Sequence, residues 1–491
     1  MPIKLITPMK TKGIVNKISK KIKEHPLLSI LLLSFIVRVI YLSINWPLWW
    51  DAHVYIGMGK YIFSSGQIGI WESFRPLIHP AIIGLIWKLG LNPIAWGKLL
   101  DLIFSLIAIF LLYKISEKVF NKKIAVISSL IFSLTPLFIM HTGLILTEPL
   151  ALTFGLLGMY LILDLAKKPD KTKIIPIFLS GIFLSLAFLT KFTMGIFFAA
   201  IFITLLIKKE NLIEKIKTLS LLGISFILPI IPYMIFNYFR YPNLFEPFLA
   251  GSWIVTTATW LYGNGYTYYW RSFFFTNPLY ILFFAYIYYF FKEKEWRNSN
   301  KTIFLLISIS TIIYFTFFVP RKEPRYLLIA IPFMTIAISQ AIRILHNKLK
   351  LSKKPLLWPK SFVVLIILLV LVPMPANLNF DKAPDFKPEI NQIIDENNIT
   401  GTIVSSDPSF VSFLDHKIIT LDGMDFAPVI YNQTKKQAEM IFINDCDLLC
   451  APEDLECKEL RELLLSTIKE ENKEVFSKQF KDCNYSICLT S

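Results

Sequence analysis

Acidic residues are scarce in most of this chain: the first 375 of its 491 residues hold only 14 Asp and Glu against 40 Lys and Arg. Cysteine is missing from the first 445 residues, so any disulfide belongs to the last 46, which contain Cys446, Cys450, Cys457, Cys483 and Cys488. Structural zinc competes with disulfides there, but no histidine lies among the five and C-x3-C-x6-C is a poor match to zinc spacing. One or two disulfides with one thiol left over are expected. The apolar run after Pro26 lacks a small-residue cleavage site, which argues against a removed signal and for a retained first span. An internal repeat of the kind that gives transporters paired broken helices is also missing.

What is present is apolar. The chain is 54% hydrophobic and 15% aromatic with a mean hydropathy of +0.55, too high for a soluble domain of this length. Runs of spanning length lie at 27–46, 97–113, 124–144, 150–166, 174–190, 193–207, 218–236, 273–291, 302–319, 326–343 and 358–374, predicting an α-helical polytopic membrane protein with about eleven transmembrane helices. With a cytoplasmic N-terminus, 29 of the 40 basic residues fall in the N-terminal segment and alternate loops, satisfying the positive-inside rule. The basic total is therefore a topology signal, and nucleic acid is not a partner. Residues 1–375 carry a net +26 and 376–491 a net −10, so the expected division is a membrane domain over 1–375 and an extracytoplasmic domain over 376–491. Short β-branched runs from Gly401, with a helical pattern around 453–470, make that second domain a small mixed α/β fold. Sequons at Asn398, Asn432 and Asn484 agree with its placement outside the cell membrane.

Between the first two spans the loop opens with Trp46, Trp49, Trp50 and Asp51 and returns through Glu72, Arg75 and His79. Tyr55, Met58, Tyr61 and Ile62 at helical spacing, ended by Gly66, predict a helix lying in the interface, and residues 80–90 a second short one. The aromatic-rich 237–272 loop reads either as an interfacial belt or as a platform for a sugar ring or an isoprenoid tail.

Five carboxylates fall on the expected outer face of the membrane domain: Asp51, Glu72, Glu148, Glu246 and Glu323. A carboxylate at the edge of a bilayer is expensive without a task or a partner. Asp51 and Glu148 sit hardest against apolar spans and could converge as a general base and an orienting or divalent-metal ligand, although Glu148-Pro149 also suits a helix N-terminus. Arg75, Lys191, Arg321 and Arg325 run against the positive-inside trend. They suit a bound phosphate, with a solvated rim or lipid headgroups as the plainer reading. His79 could bind a ligand or a metal or be a satisfied interface histidine.

These residues occur in an order that resembles the GT-C membrane glycosyltransferases, in the branch of the protein O-mannosyltransferases and the aminoarabinose-to-lipid-A transferases. The similar elements are Asp51 with Tyr55, Arg75-Pro-Leu-Ile-His79-Pro80, Gly97-Lys-Leu-Leu-Asp101, Phe120-Asn-Lys-Lys, Ser133-Leu-Thr-Pro136, Leu146-Thr-Glu148-Pro149, Leu189-Thr-Lys191 and Arg325-Tyr326-Leu-Leu with Pro332. The resemblance implies inverting transfer from a polyprenyl-phosphate sugar to a protein or lipid acceptor, with Asp51 as base or acceptor-positioning group. Many members have Asp-Glu where this chain has Asp51-Ala52, so the role of that second carboxylate is vacant or moved. Trp49-Trp50-Asp51 also matches a signature of oligosaccharyltransferases, but theirs opens the soluble domain, and the match is taken as coincidence. An independent argument agrees: outside the cell there is no nucleotide-sugar pool, so a glycosyl donor must arrive on lipid. On this reading Asp51 acts on the acceptor, and Glu148 orients it or binds a divalent ion. Arg75, Lys191, Arg321 and Arg325 then hold the departing phosphate, with the Tyr326 hydroxyl beside it.

Overall fold

The computed structural model describes residue 21 and residues 24–44, 47–163, 173–208, 211–257, 259–295, 299–348, 386–421, 423–424 and 426–490. Helices stand at ten of the eleven expected spans. The eleventh at 358–374, the 375/376 boundary, Trp46 and most of the N-terminal lysines lie outside the described residues. Among the described residues four helices, Pro26–Ser43, Pro93–Val119, Leu212–Arg240 and Asn300–Phe318, are long and apolar enough to cross a bilayer by themselves. Shorter apolar helices, including Glu148–Leu163 and Ile174–Thr190, complete the bundle. Small residues let these two approach: the Ser180 hydroxyl donates to the Gly158 carbonyl at 2.7 Å. Side chains such as Leu28, Leu32, Ile175 and Ile224 point outwards, as a lipid-facing surface requires.

The run expected as one span at 124–144 is broken. Lys122–Leu134 ends at Thr135, whose backbone is extended, and Pro136 starts the short helix Pro136–Met140. Proline has no N–H to continue the ladder and pushes the residue before it out of helical geometry. Near the break, fully buried Arg38 of the first span donates to the Ser133 carbonyl at 2.9 Å and to Ser34 Oγ at 2.6 Å. The chain then runs through a buried loop to Glu148, where the next helix begins. This break brings the Pro136–Glu148 stretch to one end of the bundle.

At that end lie the two short helices expected in the first loop, Trp50–Phe63 and Ile78–Lys88. They pack closely because Gly59 and Gly84 face each other, and a Cβ on either would meet the other's backbone. The C-terminal domain sits over them. Its five-stranded sheet has the order β2-β1-β3-β5-β4, with β1 (Thr402–Ser405), β2 (Ile418–Thr420), β3 (Ala438–Asn444), β4 (Lys473–Phe480) and β5 (Cys483–Leu489). The β2-β1-β3 part is parallel and β3-β5-β4 antiparallel. Helices Lys387–Glu396, Ala427–Thr434 and Leu455–Glu471 cover it, the last at the place where 453–470 reads as helical. Cys446 is bonded to Cys483 and Cys450 to Cys457, while Cys488 is a buried thiol on β5.

The first loop extends this sheet. Gly69 donates its N–H to the His416 carbonyl at 2.8 Å and accepts from the Ile418 N–H at 2.9 Å, forming a parallel bridge on the edge strand β2. Its φ of +96° and its close approach to the backbone of Gly57 require glycine. Lys60, nearly buried, adds hydrogen bonds to the Leu414 carbonyl at 3.0 Å and to Asp415 at 2.8 Å. The His53 ring meets Ser412 Oγ at 2.5 Å. The C-terminal domain is thus fastened to the helix that begins with Trp50 and Asp51.

Candidate active site

Asp51 sits in the first turn of Trp50–Phe63, where a carboxylate complements the exposed amides of the helix start. Its two oxygens are taken by two arginines. Oδ1 accepts from Arg75 Nη2 at 2.8 Å and Oδ2 from Arg325 Nη1 at 2.6 Å. Each arginine has a second carboxylate: Arg75 Nε donates to Glu72 at 2.5 Å, and Arg325 Nε lies 2.6 Å from Glu323. Glu323 also takes Arg321 Nε at 3.1 Å and the Tyr326 hydroxyl at 3.0 Å. Glu72, Asp51 and Glu323 therefore alternate with Arg75, Arg325 and Arg321 in a half-buried chain of equal charge. Burial raises the proton affinity of Asp51, but Arg75 and Arg325 outweigh it and hold the carboxyl well below the usual carboxylate range.

Aromatic rings shape the chain of charges. Arg75 lies over Tyr55 with 4.9 Å to the ring centroid, Arg325 over Trp49 at 5.7 Å and Arg321 over Tyr262 at 3.3 Å. Tyr262 belongs to the aromatic-rich loop, so one ring of that loop serves the site. Trp253 instead packs against Phe426 of the C-terminal domain, while Trp260, Tyr266 and Trp270 stay exposed. The turn that carries Arg321 and Arg325 is held by Lys322, which is buried and donates to the carbonyls of Phe315 and Thr316 at 2.7 Å and to that of Val319. That lysine closes the end of the preceding helix and does not reach the site.

The second carboxylate, Glu148, is buried at the start of its helix, and Oε1 accepts from Lys191 at 2.7 Å. Oε2 has no hydrogen-bond partner among the described residues. Arg325, hydrogen-bonded to Asp51, is also a charge neighbour of Glu148. His79 is buried with its ring edge-on to Tyr55 at 5.0 Å, and its Nδ1 has no partner among the described residues.

Three residues play parts that sequence reading did not assign. Asp101, buried in the second span, accepts the Ile145 N–H at 2.8 Å. Ile145 has a φ of +55°, a conformation that a β-branched residue adopts only under constraint. Asp101 thus clamps the loop leading into Glu148; its carboxylate inside an apolar run was the available signal. His141 ends the short helix after Pro136 and lies edge-on to Trp49 at 5.8 Å. Trp49 itself joins His141 to Arg325.

In this arrangement guanidinium groups occupy both oxygens of Asp51 and Lys191 one of Glu148, which leaves Glu148 Oε2 as the one oxygen of the two carboxylates without a hydrogen-bond partner among the described residues. Among the described residues one group of three metal-type donors lies within reach of a single ion, Asp445, Cys446 and Cys483, and its two sulfurs are bonded to each other.

Residues 74–236 match the family of dolichyl-phosphate-mannose-protein mannosyltransferases, a stretch that includes Arg75, Asp101, His141, Glu148 and Lys191. Among solved structures, ArnT from Cupriavidus metallidurans bound to undecaprenyl phosphate superposes with a TM-score of 0.62 at 13% identity, over 94% of this chain and 97% of that one. The fold is that of the GT-C membrane glycosyltransferases. A second GT-C structure, the archaeal oligosaccharyltransferase AglB from Archaeoglobus fulgidus with an inhibitory peptide and a dolichol-phosphate, superposes with a TM-score of 0.54 at 13% identity, over 94% of this chain and 74% of that one. Compared with curated proteins by sequence, the chain matches none. In the GT-C fold of this chain, the Asp51 helix and the 321–325 turn meet although 274 positions separate Asp51 from Arg325.

Proposed function

We propose that this protein transfers a sugar from a polyprenyl-phosphate donor to an acceptor hydroxyl or similar group, on a protein or a lipid, at the extracytoplasmic face of the cell membrane. The observation that carries the reading is Asp51 held between Arg75 and Arg325. A carboxylate held so far down is a weak proton acceptor. Two guanidinium groups in a forked arrangement are also what a phosphate monoanion would seek. Donor phosphate and Asp51 therefore compete for the same cations. As the donor phosphate takes Arg75 and Arg325, Asp51 loses the charges that hold its proton affinity down and becomes a competent base.

The acceptor oxygen then attacks the anomeric carbon from the face opposite the phosphate. The bond from that carbon to the phosphate oxygen breaks, its electron pair passes to the phosphate, and the acceptor proton passes to Asp51. The charge gained by the phosphate is met by Arg75 and Arg325, with Lys191 and Arg321 at the margin. The anomeric configuration inverts. In this reading residues 1–375 form the transferase domain with a cytoplasmic N-terminus, and residues 376–491 form the extracytoplasmic domain, which covers the acceptor side of the site. The docking of that domain on the first loop through Gly69 and Lys60 supports the arrangement.

The test is transfer of radiolabelled sugar from synthetic polyprenyl-phosphate hexoses and pentoses by the full chain in proteoliposomes, with peptide and lipid acceptors. Transfer with inverted anomeric configuration is expected. Donor binding without transfer to any acceptor refutes the function.

A further inference from the structure

Around Glu148 three buried polar atoms have no hydrogen-bond partner among the described residues: Glu148 Oε2, His141 Nε2 and His79 Nδ1. Orphaned buried polar atoms are uncommon in folded proteins, and each is costly unless something supplies the missing contact. His141 is fully buried, and its Nδ1 lies 2.7 Å from the Leu137 carbonyl, which can only accept. The proton is therefore on Nδ1, and in the neutral ring Nε2 carries a lone pair. Glu148 Oε2, as a carboxylate oxygen, also only accepts. His141 and Glu148 open and close the loop clamped in its middle by Asp101, and each is among the other's charge neighbours; Glu148 is likewise a charge neighbour of His79.

We infer that Glu148 Oε2 and His141 Nε2 together form a sugar subsite that accepts hydrogen bonds from neighbouring hydroxyl groups of the lipid-linked donor, with His79 as a third contact. The inference rests on the transfer reading and names the part of the donor this pocket recognises. The ligand must bring hydrogen-bond donors, which excludes a phosphate. A cation is disfavoured because Lys191 at 2.7 Å and nearby Arg325 already oppose the charge of Glu148. A neutral diol satisfies both acceptors without adding charge.

The test uses the full chain in nanodiscs and compares binding of bare polyprenyl phosphate, polyprenyl-phosphate hexoses and their monodeoxy analogues to the unaltered protein, His141→Phe and His141→Gln. Phenylalanine keeps a ring beside Trp49 and deletes the lone pair, whereas glutamine can offer an amide oxygen instead. His141→Phe is expected to weaken the sugar-bearing lipid about tenfold, the worth of one hydrogen bond at about 1.4 kcal/mol per tenfold, and bare lipid by less than about twofold. His141→Gln recovers part of the loss, and one monodeoxy donor binds the unaltered protein and His141→Phe equally.

Equal weakening of both lipids overturns the subsite and makes His141 structural. No change in either lipid also overturns it, as does sugar-lipid affinity lost on chelation and restored by Mn2+, which would put a metal between the two acceptors. His141-dependent sugar binding without transfer to any acceptor leaves the subsite standing and refutes the transferase. Transfer with sugar recognition independent of His141 does the reverse. A protein that binds neither lipid refutes both.

Discussion

Replacing Asp51 with Asn separates the two tasks assigned to that carboxylate. The side chain keeps its shape, one oxygen can still accept from a guanidinium, and the amide nitrogen turns a donor towards the other. One of the contacts at 2.8 and 2.6 Å is lost, and the charge chain of three carboxylates and three arginines is left one positive charge in excess. A charge-assisted hydrogen bond contributes roughly 1.5–3 kcal/mol, so removing the competitor should tighten binding of bare polyprenyl phosphate by about 10- to 100-fold. Transfer should fall by about 10²- to 10⁴-fold with the loss of the base. The assay is calorimetric or fluorescence titration of bare polyprenyl phosphate into nanodiscs, paired with the labelled-sugar assay. A folded Asp51→Asn protein that binds the lipid no more tightly refutes the competition between Asp51 and phosphate, and one that still transfers refutes the base.

The Asp51 carboxyl is lowered by its arginines, so the stability it contributes is fully present above the unfolded value of about 3.9 and is lost only as pH falls through its lower folded value. Thermal unfolding of the full chain should therefore show no contribution from this group between about pH 5 and 8. Asp447 behaves in the opposite sense. Burial, together with the charges of Asp407 and Asp445, pushes it up to about 8, so its contribution falls as pH rises from the unfolded value towards 8. Asp447→Asn should flatten that fall, and an unchanged pH profile of thermal unfolding would contradict the assignment. Asp101→Leu removes the acceptor for Ile145 and should lower transfer by about 10- to 100-fold while helix content stays the same, the cost of a misplaced Glu148; unaltered transfer would show that the strained loop holds itself. Gly69→Val places a side chain against the Gly57 backbone and should undock the C-terminal domain, read as new protease cleavage between the two parts; a protease pattern like that of the unaltered chain would refute the bridge as the fastening.

Much of the architecture was legible because a bilayer imposes one simple rule on sequence: spans must be apolar and long, and positive charge in connecting loops marks one side. The first short helix of the first loop could be read from the spacing of Tyr55, Met58 and Tyr61 and the glycine after them, and the second from the apolar stretch at 80–90. What that rule misses is where a span stops being regular, as at Pro136, because apolar composition continues across the break while the backbone does not. Asp51, Arg75, Glu148, Lys191, Arg321, Arg325 and Tyr326 could be singled out one by one, since each is polar where the surroundings are not. Their pairing could not. That Arg325 meets Asp51, that Lys191 belongs to Glu148, and that Lys322 is spent on helix carbonyls follow from how the spans pack, and charge along a chain says nothing about which opposite charge lies nearest in space.

Hydropathy, charge asymmetry and the spacing of β-branched runs are local properties of the chain, and they suffice to mark a polytopic helical membrane protein with a cysteine-bearing soluble end. That Asp101 restrains Ile145, that His141 and Glu148 each keep an acceptor without a partner among the described residues, and that Gly69 joins the edge of a sheet more than 300 residues away follow from how the chain packs. Those contacts are long-range, and a sequence can mark a residue such as Asp101 or Glu148 as out of place without saying what it meets.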